Sequence, residues 1–164
     1  DVQEVLDTSM AREIAIEYEG SDAYFFIGRG AAHPVALEGA LKFKEISYEH
    51  AEGFAASELK HGPLALVTPL SPVFAIFTGH EDEATLSNVK EVQARGAPVI
   101  AITSDRSGEV TEFADHVLRI PDTHPDIAGV LANVQLQLVA YHAADLLERP
   151  IDKPRNLAKC VTVE

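Results

Sequence analysis

Ala23-Tyr24-Phe25-Phe26-Ile27-Gly28-Arg29-Gly30 is the stretch that decides the fold. Its first five residues form a continuous apolar run rich in strand formers, and two glycines then stop it. A strand apolar on both sides needs cover on both faces. Directly beyond it, His33–Tyr48 reads as a helix, with Pro34 in the first turn, where a missing N–H costs little. Further apolar runs follow at Pro72–Thr78, Ala97–Thr103 and His116–Ile120. Helices are expected between them, from about Glu81 to Arg95, closed by Gly96, and from Asp126 to Glu148, ended by Pro150. Val2, Leu6, Met10, Ile14 and Tyr18 recur every four residues, so one helix is expected to fill the chain up to Gly20. Residues 51–70 are less regular, with a short helix over Ala55–His61 stopped by Gly62-Pro63, and another helical turn is expected to end at Ala114. Strands alternating with helices predict an α/β fold, a doubly wound parallel sheet with helices on both sides.

Composition bounds the function. A chain of 164 residues is long enough for one domain with a real core. Cys160 is the single cysteine, which excludes an internal disulfide framework. With 26 acidic against 13 basic residues the net charge is −13, so phosphate backbones and anionic lipid are repelled and nucleic-acid binding is not expected. The acid excess also suits a protein dissolved in a salty cytoplasm. The first 20 residues do not have the pattern of a secretory signal. The most apolar long stretch, Ile127–Leu147, holds Asn133, Gln135, Gln137, His142 and Asp145, so a bilayer span is not expected and a cytoplasmic location is. A start at Asp1, without methionine, reads as a piece of a longer chain.

Ligands of doubly wound folds sit beyond the carboxyl ends of the strands. Gly28-Arg29-Gly30 lacks the full dinucleotide spacing, since His33 stands three positions after Gly30, and a tight turn is the simpler reading. The loop Gly79-His80-Glu81-Asp82-Glu83 carries three consecutive carboxylates and is a poor anion site. Thr103-Ser104-Asp105-Arg106-Ser107-Gly108 has the groups to hold an anion, although Ser and Asp in turns usually satisfy their own backbone.

Three clusters carry titratable chemistry. On the helix His33–Tyr48, Glu38, Lys42 and Glu45 fall within an arc of about 60° at 100° per residue, while Val35, Ala36, Leu37, Ala40, Leu41, Phe43 and Ile46 make most of the remainder apolar. That stripe is either a solvated i, i+4 pair or a carboxylate and an ammonium facing a cleft, suited to proton transfer beside a carbonyl. Glu58-Leu59-Lys60-His61-Gly62-Pro63 holds an imidazole that either caps a turn or moves protons. The tail from Lys153 to Glu164 includes Lys159, an amine that becomes a nucleophile toward a ketone if it loses hydration. His33, His50, His80, His116, His124 and His142 show no metal-ligand spacing with one another or with Cys160, so no metal is expected.

Taken in order, Gly28-Arg29-Gly30, the run Ala36-Leu37-Glu38-Gly39-Ala40-Leu41-Lys42-Phe43-Lys44-Glu45-Ile46-Ser47-Tyr48, the run Glu58-Leu59-Lys60-His61-Gly62-Pro63-Leu64-Ala65-Leu66 and the run Pro154-Arg155-Asn156-Leu157-Ala158-Lys159-Cys160-Val161-Thr162-Val163-Glu164 resemble the C-terminal sugar-isomerase (SIS) domain of the glucosamine-6-phosphate synthase family. The resemblance covers nearly the whole chain. It implies a flavodoxin-like SIS domain over residues 1–164, with 149–164 as an ordered tail, the second of two SIS domains that follow a glutaminase domain. It implies an aminotransferase that makes glucosamine 6-phosphate from fructose 6-phosphate and glutamine, an amino-sugar-forming reaction with no cofactor. Within it, Glu45 matches the carboxylate that moves a proton between C1 and C2. Lys159 matches the lysine that forms an imine with the sugar ketone, with Ala158 beside it at the substrate. His61 matches the histidine that assists ring opening in the partner subunit's site, which implies a homodimer. Lys42 and Glu38 match supporting groups. Cys160 stands where serine is common, and Phe43 and His33 also depart from the usual residues. The family's Ser/Thr-rich phosphate loop and its glutaminase cysteine are not found in this chain, so the fragment alone is expected to be inactive. A non-catalytic sugar-phosphate-binding or regulatory SIS module is the alternative.

Overall fold

A computed structural model describes residues 1–79, 81–104 and 108–158. Among them five strands, β1 (Tyr24–Gly28), β2 (Ala51–Ala55), β3 (Val73–Ile76), β4 (Val99–Thr103) and β5 (His116–Arg119), form one sheet in the order β2-β1-β3-β4-β5, every pair parallel. The strand faces alternate with period two. Phe26, Phe74, Ile76, Ile100 and Ile102 point into a core shared with α1 (Val2–Thr8), α2 (Ala11–Glu17), α3 (Ala32–Ser47) and α5 (Pro125–Leu146). Phe25, Ile27, Val73, Ala75 and Phe77 point into a second core under α4 (Asp82–Gln93) and two 3-10 segments, Ala56–His61 and Pro63–Leu66. The α/β doubly wound expectation is met.

Two readings are corrected. The single opening helix is two, α1 and α2, because Ser9 is extended (φ −66°, ψ 137°). Its hydroxyl accepts the Ala11 N–H and donates to Gln135 Oε1 at 2.5 Å, an alternative to helical bonding that a serine readily takes. The four-residue stripe therefore breaks in its first half: Val2, Leu6 and Met10 are exposed and Val5 is buried instead, while in α2 Ile14 is buried as the stripe requires, together with Ala11 and Ala15. The second correction is β2. Ala51-Glu52-Gly53-Phe54-Ala55 has weak strand propensity and only Ala51 is buried, yet it pairs with β1 from Tyr24↔Ala51 to Gly28↔Ala55. Gly53 lets α3 lie close above it, since a Cβ there would come within 2.8 Å of Ala36 O and Leu37 Cα.

Gly28 has a related reason to be glycine. A Cβ at this position would sit 2.6 Å from the backbone C and O of Ala32, in the first turn of α3. Backbone cannot rotate away as a side-chain end can. Gly28→Ala is therefore expected to cost about 1–3 kcal/mol, read as a fall in the denaturant midpoint at constant slope. An unchanged midpoint would show that the strand-to-helix turn has slack.

α5 is long and apolar enough, by length and composition alone, to cross a membrane, and half of that stretch is buried inside the domain. Its buried Gln135 donates to Arg119 O at 2.6 Å and accepts from Ser9, so its amide is satisfied within the core. Ile127, Val130 and Tyr141 remain exposed on the helix's outer side.

Candidate functional site

The order β2-β1-β3-β4-β5 places the topological switch between β1 and β3, where a ligand crevice is expected. The residues there bond to each other. Arg29 Nε meets Glu81 Oε2 at 3.0 Å, and Arg29 Nη1 donates to Asn88 Oδ1 at 3.4 Å. The Gly79 N–H donates to both carboxylate oxygens of Asp82, at 3.0 and 3.1 Å. Gly30, at φ +49°, lies so close to Glu81 that a Cβ would sit 2.9 Å from its Oε1. The arginine and the amide that would otherwise greet a phosphate are thus engaged by the chain's own carboxylates. In the loop after β4, Asp105, Arg106 and Ser107 lie outside the described residues.

The titratable stripe of α3 is assembled as expected. Lys42 Nζ lies 2.6 Å from Glu45 Oε2 and 3.8 Å from Glu38 Oε1. The hydrogen bond to Glu45 is the main reason the Lys42 pKa is raised; burial opposes it, and the charges of Glu45 and Glu38 add to it. Lys42 is therefore an ammonium throughout the neutral range. The helix is less wrapped than its sequence suggests: Ala32, Ala36, Gly39, Ala40, Phe43 and Ser47 are buried, but Leu37 and Leu41 are exposed. Phe43 packs on Tyr24 and Phe26 with ring centroids 4.4 and 5.9 Å apart.

Glu45 sits at the end of α3 nearest the start of β2, which is the amino edge of the parallel sheet, opposite the switch-point loops. The tail comes to meet it there. One cavity of about 530 Å³ is lined by Glu45, Tyr48, Arg155 and Leu157 among others. A second, of about 560 Å³, lies between Glu45 and Asp152, Lys153, Pro154, Leu157 and Ala158. The structure thus brings Glu45 together with Ala158. Lys159 and Cys160 lie outside the described residues.

Sequence reasoning missed how the tail is held. Tyr48 Oη accepts the Arg155 N–H at 2.8 Å across 107 positions of chain. The guanidinium carbons of Arg155 and Arg149 lie 4.2 and 5.4 Å from the Tyr48 ring centroid. Each such contact is worth about 0.5–1 kcal/mol at an exposed site. The available signal was a tyrosine closing a helix where glycine or asparagine is the usual choice.

His61 is elsewhere. It ends the 3-10 segment beyond the carboxyl end of β2, with Nδ1 3.0 Å from Glu58 Oε2, and both side chains are exposed. The His61 hydrogen bond holds the Glu58 carboxyl below its usual range. The 3-10 segment that His61 ends packs through Ala56 and Leu59 on the second core, across the sheet from α3, which packs on the first. His61 lines neither of the cavities that Glu45 lines. Among the described residues no group of three or more His, Cys, Asp or Glu is placed to hold a metal.

The family model of the SIS domain matches residues 18–146. The glutamine–fructose-6-phosphate aminotransferase (isomerizing) of Halobacterium salinarum is 58% identical over 99% of this chain, and that of Methanosarcina mazei is 52% identical over all of it. The chain spans 27% of the length of either relative. Among solved structures, the C-terminal domain of glucosamine-fructose-6-phosphate aminotransferase from Francisella tularensis superposes with a TM-score of 0.84 at 37% identity, covering 93% of this chain and 44% of that one. Glucosamine-6-phosphate deaminase from Thermotoga maritima superposes with a TM-score of 0.72 at 27% identity, covering 96% of this chain and 46% of that one.

Proposed function

Because the chain belongs to the SIS domain family, we propose that it is the second SIS domain of a glutamine–fructose-6-phosphate aminotransferase and supplies the proton-transfer and imine-forming groups of its isomerase site. The observation that carries this reading is the convergence of Glu45 with the tail segment ending at Ala158, directly before Lys159 in the sequence. In this reading the Lys159 amine condenses with the C2 ketone of open-chain fructose 6-phosphate, releasing water. Ammonia released from glutamine then displaces the lysine from C2, returning its free amine and leaving an imine of ammonia. This imine draws electron density from C1, and the Glu45 carboxylate takes the proton from C1 and returns it to C2. Lys42 stands between two carboxylates, so when Glu45 takes up a proton the ammonium retains Glu38 as its counter-ion. The self-bonded crevice at Arg29 and Glu81 supports a phosphate held by a domain outside this chain. The separation of His61 from Glu45 supports a homodimer in which each His61 serves its partner's site.

The test is chemical trapping. Full-length protein incubated with fructose 6-phosphate and borohydride is expected to carry one reduced sugar adduct, on the peptide containing Lys159, and Lys159→Arg is expected to lose it. An enzyme that forms glucosamine 6-phosphate while Lys159→Arg stays active would overturn the assignment.

A further inference from the structure

Tyr48 has a conformation and a set of contacts that the proton-transfer chemistry does not explain. It closes α3 at φ +67°, ψ 12°, in the left-handed region. A bulky residue is rare there, because its Cβ crowds the backbone, and glycine or asparagine closes a helix with less strain. Such strain persists where surrounding contacts hold it, and it clusters at sites with a job. The backbone N–H of Tyr48 closes α3 on Lys44 O at 3.2 Å, and the hydrogen bond and cation contacts of its side chain lead to the tail. Its hydroxyl takes the Arg155 N–H, and its ring lies under the guanidinium of Arg155, with that of Arg149 farther off. Arg149 stands at the root of the tail and Arg155 three residues before Ala158. The left-handed turn also places the ring in the same cavity as Glu45, three residues earlier.

From this we infer that Tyr48 is a positioning residue: it clasps the tail at Arg155 so that the segment leading to Lys159 is held against Glu45. The inference rests on the reading of Lys159 as the imine-forming amine. Tyr48 touches no substrate in it; it sets how often the amine and the carboxylate share one site. The hydrogen bond runs to a backbone N–H, so it fixes the course of the chain whatever side chain stands at 155. The stacked guanidinium adds a contact that a lysine would make less well, since a planar group lies flat on the ring.

The full-length enzyme with Tyr48→Phe and Tyr48→Asn tests this by two readouts. Tyr48→Phe removes only the acceptor. Tyr48→Asn removes the ring as well, but suits the left-handed cap, so the helix end keeps its geometry. Trypsin reports the tail directly, since Arg149 and Lys153 each precede a proline and Arg155-Asn156 is the cleavable bond between them and Lys159. Cleavage there is expected to rise roughly two- to tenfold in Tyr48→Phe, for one lost hydrogen bond, and on the order of tenfold or more in Tyr48→Asn. Borohydride trapping of fructose 6-phosphate is expected to fall in the same order, with glutamine hydrolysis unchanged. If Tyr48→Asn is cut and trapped at the wild-type rates, the clasp is overturned. If the wild type itself traps no sugar, the Lys159 reading fails, and the trypsin rates still decide whether Tyr48 holds the tail.

Discussion

Glu45→Gln in the full-length enzyme is expected to lower glucosamine 6-phosphate formation by about 10²- to 10⁴-fold, the usual contribution of a positioned acid–base group. Glutamine hydrolysis, which needs no proton transfer on the sugar, is expected to continue. The amide keeps the shape of the carboxylate and a hydrogen-bond acceptor for Lys42, so the fold stays intact. It has no site to take up a proton from carbon. Lys42 loses the negative charge of Glu45, one of the causes of its raised pKa, and turns to Glu38, already 3.8 Å away. A second experiment uses the sheet geometry. If Glu45 of one protomer works with His61 of the other, Glu45→Gln and His61→Ala homodimers are each impaired, and subunit exchange rebuilds one intact site in half the dimers. The mixture is then expected to regain about a quarter of the wild-type rate, as two-fold symmetry requires. No recovery on exchange would place His61 and Glu45 in the same protomer's site, against the packing of their elements on opposite faces of the sheet.

The fold was legible where burial on both faces wrote itself into continuous apolar runs. Tyr24–Gly28, Val73–Ile76 and Val99–Thr103 are such strands, each buried along its whole length. β2 was not legible because an edge strand pairs on one side only and needs little apolar surface, so Glu52 and Gly53 masked it. The opening helices were misread because a four-residue period describes a helix only if it is unbroken, and Ser9 interrupts it through a tertiary bond to Gln135, 126 positions away. The site divides in the same way. Glu38, Lys42 and Glu45 share one helical face, so spacing alone assembled them. Their meeting with the tail depends on where residues 149–158 return in space, which no local pattern encodes. Attention to the carboxyl ends of the strands led instead to the Arg29–Glu81 pair, while Glu45 faces the tail at the opposite edge.

Phe26→Ala is expected to destabilise the domain by about 3–5 kcal/mol, the range for removing a fully buried aromatic ring. Phe26 is fully buried on β1, the strand that pairs on both sides with β2 and β3. Its ring stacks on Phe74 with centroids 4.7 Å apart and planes 10° from parallel, and it meets Phe43 of α3 at 5.9 Å. It also lies directly under Gly39, where an added Cβ would be 3.2 Å from its Cδ1. The void therefore opens between the sheet and α3, and neither side collapses easily: the strand is fixed by two ladders, the helix by its seam with α5, where the same Cβ would meet Leu136 Cδ1 at 2.5 Å. For a domain of this size such a loss corresponds to a fall in Tm of about 6–20 °C. Phe54, on edge strand β2 and only partly buried, provides the control: Phe54→Ala is expected to cost clearly less, although its ring stacks on Phe25 at 6.2 Å. Equal losses at the two positions would mean that the ring's own area, not its place beneath α3, sets the cost. A larger loss at Phe26, accompanied by faster tryptic cutting at Arg155, would tie the seat of the helix that carries Glu45 and Tyr48 to the hold on the tail.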